Sequence, residues 1–348
     1  MRKILLLCML VTVASTVGGC RLWTTPAPPP ETPPPTATPP QVEEASKHSP
    51  SVEGRLLYAR AGNIWLRSET TSQRLTEGVW ATQPCWSPDG RQIVFVVRGD
   101  KYSDLWIMDA DGKNVHPITS NASESPGYTL ESAYSSFWAF QPQWAPAAAG
   151  EWITFISHGR PESSSSNMSI WQIQPDGSNE QRYLPRNGQT ETPTWSPDGQ
   201  LLAFTSMPYQ TGPQLRYYDP TSGNVMELGP DVEGIERYDP AWSPDGAWIA
   251  YAARQGRQTD LWLMPSPLNP FFFGDWSPLR LTERGSARSP AWSPTGRQIA
   301  FIAGENDSFD LWLLNLDLVP GQPPKPAREE KLTSGLQVDA TARPNWAP

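Results

Sequence analysis

The chain has 348 residues, a formal net charge of −9, 17 Trp among 11% aromatic residues, and only 18% charged residues. That aromatic content excludes a globally disordered chain, and the acidic balance excludes a general nucleic-acid surface, which needs a basic face. The length suits one large repeat domain or two ordinary ones.

The first predicted element is an export signal over residues 1–19. Arg2 and Lys3 precede an apolar run from Ile4 to Val17, and Gly18 and Gly19 follow. The run is shorter than the roughly 20 residues of a membrane-spanning helix and has the layout of a secretory leader. Cys20 stands directly after the small residues. Val17-Gly18-Gly19-Cys20 resembles the lipobox of bacterial lipoproteins, and that resemblance implies that Cys20 becomes the lipidated N-terminus. The protein is then exported and held on a membrane, facing the periplasm or the cell exterior. With Cys20 lipidated, Cys85 has no partner for an internal disulfide, and it reads as a small packed side chain.

Residues 20–52 form the second element. "TTPAPPPETPPPTATPPQVEEASKHSP" is rich in Pro and Thr and has no large apolar residues beyond isolated Val. It cannot build a core. A polyproline spacer of this length holds a domain about 70–80 Å from its anchor.

Residues 53–348 are periodic. The tryptophans of a Pro-x-Trp phrase fall at 86, 144, 195, 242, 292 and 346, separated by 58, 51, 47, 50 and 54 residues. A period near 50 built from short strands points to a propeller. Each unit contains four strand-like pieces: the Pro-x-Trp phrase, a run such as "QIVFVV" or "QIAFIA", a run such as "DLWIMDA" or "DLWLLNL", and a short "HPIT" or "EKLT". β-Branched and aromatic residues fill these pieces, with Gly, Pro, Asp and Ser between them. "SPDG" joins the first two pieces, with Pro and Gly at the corners of a tight turn and Asp accepting a neighbouring N–H. Asp89, Asp198 and Asp245 therefore read as turn formers. The first segment supplies "RLLYAR", "NIWLRS" and "QRLT" without a Trp strand, while "RPNWAP" at the C-terminus is a Trp strand with nothing after it. The two are complementary parts of one unit. The expected fold is all-β: a six-bladed β-propeller of four-stranded antiparallel blades, closed by the C-terminal strand pairing with the N-terminal blade.

The registered "PxWSPDGxxIAF…DLWxM…LT" copies resemble the propeller of the TolB-like family. The resemblance covers Arg55 to Pro348. It implies the fold more than a function, since propellers host many functions. TolB itself carries an α/β domain before its propeller, where this sequence has the spacer.

No catalytic or metal-binding constellation is visible. His48, His116 and His158 are scattered, and no paired-His, paired-Cys or Gly-x-Ser-x-Gly motif occurs. No catalytic residue, metal site or cofactor is assigned. Antiparallel blades place the segments before each Pro-x-Trp at one mouth of the central channel. The residues there are Gln83, Gln141, Glu191, Thr192, Tyr238, Asp239, Arg288, Ser289 and Arg343, a mixed polar ring suited to a peptide, a sugar or an ion. Two insertions carry aromatics outside the strand pattern: Tyr128, Tyr134, Phe137 and Trp138 before the second Trp strand, and Phe271, Phe272 and Phe273 in the fourth unit. They are a candidate partner surface. The expected function is binding or scaffolding for an envelope protein, peptide or glycan, without catalysis and without nucleic acid. The alternative is a secreted propeller enzyme, a polysaccharide lyase or hydrolase with its site at the channel mouth.

Overall fold

The structure, a computed structural model, describes residues 42–43, 50–122, 137–158, 168–184, 189–208, 212–229, 233–270, 277–305, 308–319 and 321–348. All of them belong to one compact unit, Pro34–Pro348. Six antiparallel sheets form a six-bladed propeller. The inner strands are Trp80–Trp86, Phe140–Trp144, Gln189–Trp195, Ile235–Trp242, Ala287–Trp292 and Asn345–Trp346, which define blades 1 to 6. In blade 6 the inner strand comes from the C-terminus, and the next two, Val52–Arg60 and Asn63–Glu69, come from the start of the domain. The core consists of inter-blade layers, with Phe95, Phe155, Phe204, Phe301 and Tyr58 on the second strands fully buried.

The repeat tryptophans tie the blades together. The indole N–H of Trp242 donates to the Thr194 carbonyl, that of Trp292 to Ala241 and that of Trp346 to Ala291, at 3.0–3.2 Å. Each of these three Trp bonds the inner strand of the preceding blade while its ring fills the layer between them, and Trp195 donates instead to Thr154 Oγ1 on the second strand of blade 2. This double use explains why the phrase recurs with Trp and not with an aliphatic residue.

The "SPDG" turns form as the sequence implies. In blades 1, 3 and 4 the Ser Oγ donates to the Asp carboxylate at 2.5–2.6 Å, and the residue after Gly donates its N–H to the same oxygen at 3.0–3.1 Å. The glycines hold φ of 66°, 71° and 72°, a region costly for other residues. Blade 5 has Thr295 in place of the Asp. Its turn takes a carboxylate from elsewhere, because Glu53 of blade 6 accepts from the Thr295 hydroxyl and lies 3.5 Å from Ser293 Oγ. The missing charge in blade 5 is supplied across the closing seam.

The fourth strands are shorter than the "HPIT" and "LRLT" runs predict. They end at Pro117 in blade 1 and Arg280 in blade 4. The following Ile or Leu turns inward, and the Thr hydroxyl becomes a bonding hub. Thr119 Oγ1 accepts from the Leu105 amide and donates to Asp104. Thr282 does the same with Leu261 and Asp260, and Thr333 with Leu311 and Asp310. The Asp of "DLW" is therefore a buried lock between the third and fourth strands. Asp260 and Asp310 each have a cation, Arg280 at 2.7 Å and Lys331 at 2.8 Å. Asp104 relies on Thr119 Oγ1 and the Asn121 amide, and burial pushes its carboxyl up to about 6.

Strand Val52–Arg60 begins at Val52, and Val42–Glu43 adds a fifth strand outside Thr71–Arg74. Glu43 pairs with Arg60 at 2.8 Å, and the buried Arg67 donates to the Pro50 carbonyl at 2.7 Å. Glu43 and Pro50, both within the stretch read as spacer, thus bond blade 6. Cys20 and the export signal lie outside the described residues.

Candidate functional site

Five inner strands share an unusual backbone feature. Gln83, Gln141, Thr192, Asp239 and Ser289, each directly before the Pro of Pro-x-Trp, have φ of 49–54°. The strand ladders shift register at this point, from Thr82↔Val96 to Cys85↔Val94 in blade 1 and likewise in blades 2 to 5. Each shift is a bulge with one extra residue on the inner strand. Pro suits the bulge because it has no N–H to leave unpaired. The left-handed residue ahead of it costs about 1–3 kcal/mol when it is not Gly, so something must offset the strain.

The offset is a hydrogen-bonded belt around the channel. The Gln141 amide donates to Gln83 Oε1 at 2.7 Å, and the Thr192 amide donates to Gln141 Oε1 at 2.6 Å. Thr192 Oγ1 lies 2.6 Å from Thr205 Oγ1, which accepts from the Asp239 amide at 3.3 Å. Asp239 Oδ2 accepts from the amide and hydroxyl of Ser289, at 3.1 and 3.2 Å. Gln83 Nε2 then donates to the Thr341 carbonyl of blade 6 at 3.2 Å. A side chain at the bulge thus satisfies the next bulge from blade 1 to 2, 2 to 3 and 4 to 5, while Thr205 on the second strand of blade 3 serves the bulge of blade 4.

Blade 6 departs from the pattern. Its ladder runs from the Arg60↔Val338 bridge to Leu57↔Asn345. Residues 339–344 between them loop into the channel, where Asp339 accepts from Thr82 Oγ1. This loop carries Ala340, Thr341 and Arg343.

The belt surrounds a cavity of about 350 Å³. All nine residues expected at the channel mouth line it: Gln83 from blade 1, Gln141 from blade 2, Glu191 and Thr192 from blade 3, Tyr238 and Asp239 from blade 4, Arg288 and Ser289 from blade 5, and Arg343 from blade 6. Sequence reading missed Ala340 and Thr341, because the width of the blade 6 excursion has no composition signal. It also missed Arg254 and Thr259, which reach the cavity from the second and third strands of blade 4.

Charge is unevenly placed around the cavity. Glu191 and Asp239 stand on blades 3 and 4, and Arg288 and Arg343 on blades 5 and 6. Burial raises the Glu191 carboxyl above its ordinary range. Arg254 is committed to Glu236, which also accepts from the Tyr238 hydroxyl. Burial lowers Arg343, opposed by the Asp239 charge. Among the described residues no group of three or more His, Cys, Asp or Glu converges to hold a metal ion.

The aromatic insertions are only partly described. Phe137 stacks on His158 with centroids 5.7 Å apart, and Trp138 stacks on Phe140 at 5.6 Å. Both are half-buried against blade 2. Tyr128, Tyr134, Phe271, Phe272 and Phe273 lie outside the described residues. Cys85 is a buried free thiol, pushed up to about 11 by burial.

Two solved structures are similar over most of the chain. One is TolB from Acinetobacter baumannii, with 20% identity, TM-score 0.63, and 85% of this chain and 67% of that chain covered. The other is a putative TolB from Agrobacterium tumefaciens, with 17% identity, TM-score 0.58, and 83% and 90% covered. The fold is a TolB-like β-propeller. A chain in the crystal structure of a nidogen/laminin complex matches this TolB-like fold with 11% identity, TM-score 0.53, and 75% and 89% covered. Among curated proteins, the uncharacterized protein Atu1656 of Agrobacterium fabrum is 28% identical over 150 residues. That match spans 41% of this chain and 44% of the relative, less than half of either. No family model matches the chain.

Proposed function

We propose that the protein is an exported, lipid-anchored TolB-like propeller that binds a protein, peptide or glycan at its channel mouth and does no chemistry on it. The leader, Cys20 and the Pro/Thr-rich segment support export and anchoring. The observation that carries the binding reading is the cavity of about 350 Å³ to which every blade contributes a side chain. Its volume lies at the lower end of the range for ligand pockets, and the belt fixes its wall before any ligand arrives, which reduces the ordering cost of binding. Nidogen/laminin shows a similar fold inside a protein–protein complex. The second reading, a lyase or hydrolase acting on a polysaccharide, rests on Glu191, a raised carboxyl in the same cavity as Asp239. Asp239 is already bonded to Ser289, which favours the binding role.

The test is an array of envelope peptides and glycans probed with wild type, Ala340→Trp and Asp89→Ala. Ala340 lines the mouth outside the belt, and Asp89 sits in an "SPDG" turn on the opposite face. Binders are expected to lose at least tenfold in affinity with Ala340→Trp and to be unaffected by Asp89→Ala. Equal binding by all three places the function elsewhere. Glycan turnover that Glu191→Gln abolishes decides for the enzyme.

A further inference from the structure

Arg288 and Arg343 come from adjacent blades and line the same cavity. Nε of Arg288 and Nη2 of Arg343 are buried, and neither has a hydrogen-bond partner among the described residues. Buried guanidinium N–H groups without partners are costly, and a guanidinium presents its donors in a fork that matches a carboxylate. Arg254, the other guanidinium of the cavity, is occupied by Glu236. The Arg288 guanidinium lies 5.4 Å from the Phe309 ring centroid, and Asp239 acts on Arg343 through its charge.

We infer that the blade 5 and blade 6 side of the channel mouth is a subsite for a monoanionic carboxylate, held by Arg288 and Arg343. A dianion such as phosphate fits less well. Glu191 and Asp239 line the same cavity, so each further negative charge on the ligand adds repulsion from these carboxylates, and a dianion meets more of it than a monoanion. Pro84, Pro142 and Pro193 also line the cavity and offer apolar surface to the body of such a ligand. This inference rests on the reading of the channel mouth as a binding site and names the chemistry of one part of it.

The probes are ¹³C-labelled acetate, benzoate and inorganic phosphate, titrated against the purified protein and followed by line broadening and calorimetry. Acetate and benzoate are expected to bind, benzoate more tightly, and phosphate at least fivefold more weakly than acetate. Arg343→Gln and Arg288→Gln should each weaken carboxylate binding at least fivefold. Arg297→Gln, an exposed residue beside the blade 5 turn, should leave it unchanged. Arg343→Lys keeps the charge and loses the fork, and it serves if Arg343→Gln does not fold. No carboxylate binding, binding indifferent to both Arg288 and Arg343 variants, or phosphate binding tighter than acetate each overturns the assignment. If carboxylates fail while Ala340→Trp still abolishes array binding, the channel site stands and only its carboxylate subsite is withdrawn.

Discussion

Deleting Arg343–Pro348 is expected to unfold the domain or drive it to aggregate. These six residues act on three blades. Trp346 pairs with Leu56, and the Ala347 amide donates to the Arg55 carbonyl at 2.8 Å, which completes blade 6. The Trp346 indole bonds blade 5 through Ala291. Asn345 Oδ1 accepts from the Trp86 amide of blade 1 at 2.8 Å. Loss of a buried Trp side chain alone costs about 3–5 kcal/mol, and the deletion also exposes the edge of Val52–Arg60. Domains have only about 5–15 kcal/mol in total. Thermal unfolding followed by circular dichroism is the check. Removing residues 24–40 should leave the melting temperature nearly unchanged. A cut extended to Pro50 should not be neutral, because it strips Glu43 from Arg60 and the Pro50 carbonyl from the buried Arg67. Equal melting of the six-residue truncation and the intact protein contradicts ring closure.

The second large effect is expected at Asp260. Asp260 is 3% exposed, and its carboxylate accepts from Thr282 Oγ1, from the Arg284 and Gly285 amides, and from Arg280. Asp260→Ala leaves two backbone N–H groups without an acceptor and frees the Thr282 hydroxyl that holds Leu261. Unsatisfied buried donors cost about 1–3 kcal/mol each, so a loss of about 3 kcal/mol is expected in urea unfolding. Asp245→Ala, in the exposed "SPDG" turn of the same blade, should cost less than about 1 kcal/mol. Similar losses at both sites contradict the distinction between a buried lock and a surface turn.

These two carboxylates show where the sequence was legible and where it was not. "SPDG" spells out its turn, since Pro, Asp and Gly have local conformational preferences that hold in any fold. The blade count was legible for a related reason: the Trp spacing and the split unit at the two ends leave one way to close a ring. The nine mouth positions followed from strand order alone. The buried role of Asp260, Asp310 and Asp104 was not legible, because nothing in the "DLW" strand marks its Asp as buried, and its Thr partner lies about 15–23 residues further on. The left-handed conformation at Gln83, Gln141, Thr192, Asp239 and Ser289 was equally hidden. The side chains of Gln83, Gln141 and Asp239 bond the next blade, 50–58 residues away, so no local pattern reports it. Ala340 and Thr341 enter the mouth only because blade 6 replaces a one-residue bulge with a longer excursion.

Binding of ligand at the channel mouth is the proposed function. A photo-crosslinking benzophenone at Thr341, which lines the cavity, tests it in the native envelope against the same group at Met226, an exposed residue on the outer strand of blade 3. Discrete adducts from position 341 that benzoate competes away, with none from position 226, are the expected result. Adducts from position 226 with none from position 341 contradict binding at the channel mouth and put it on the outside of blade 3.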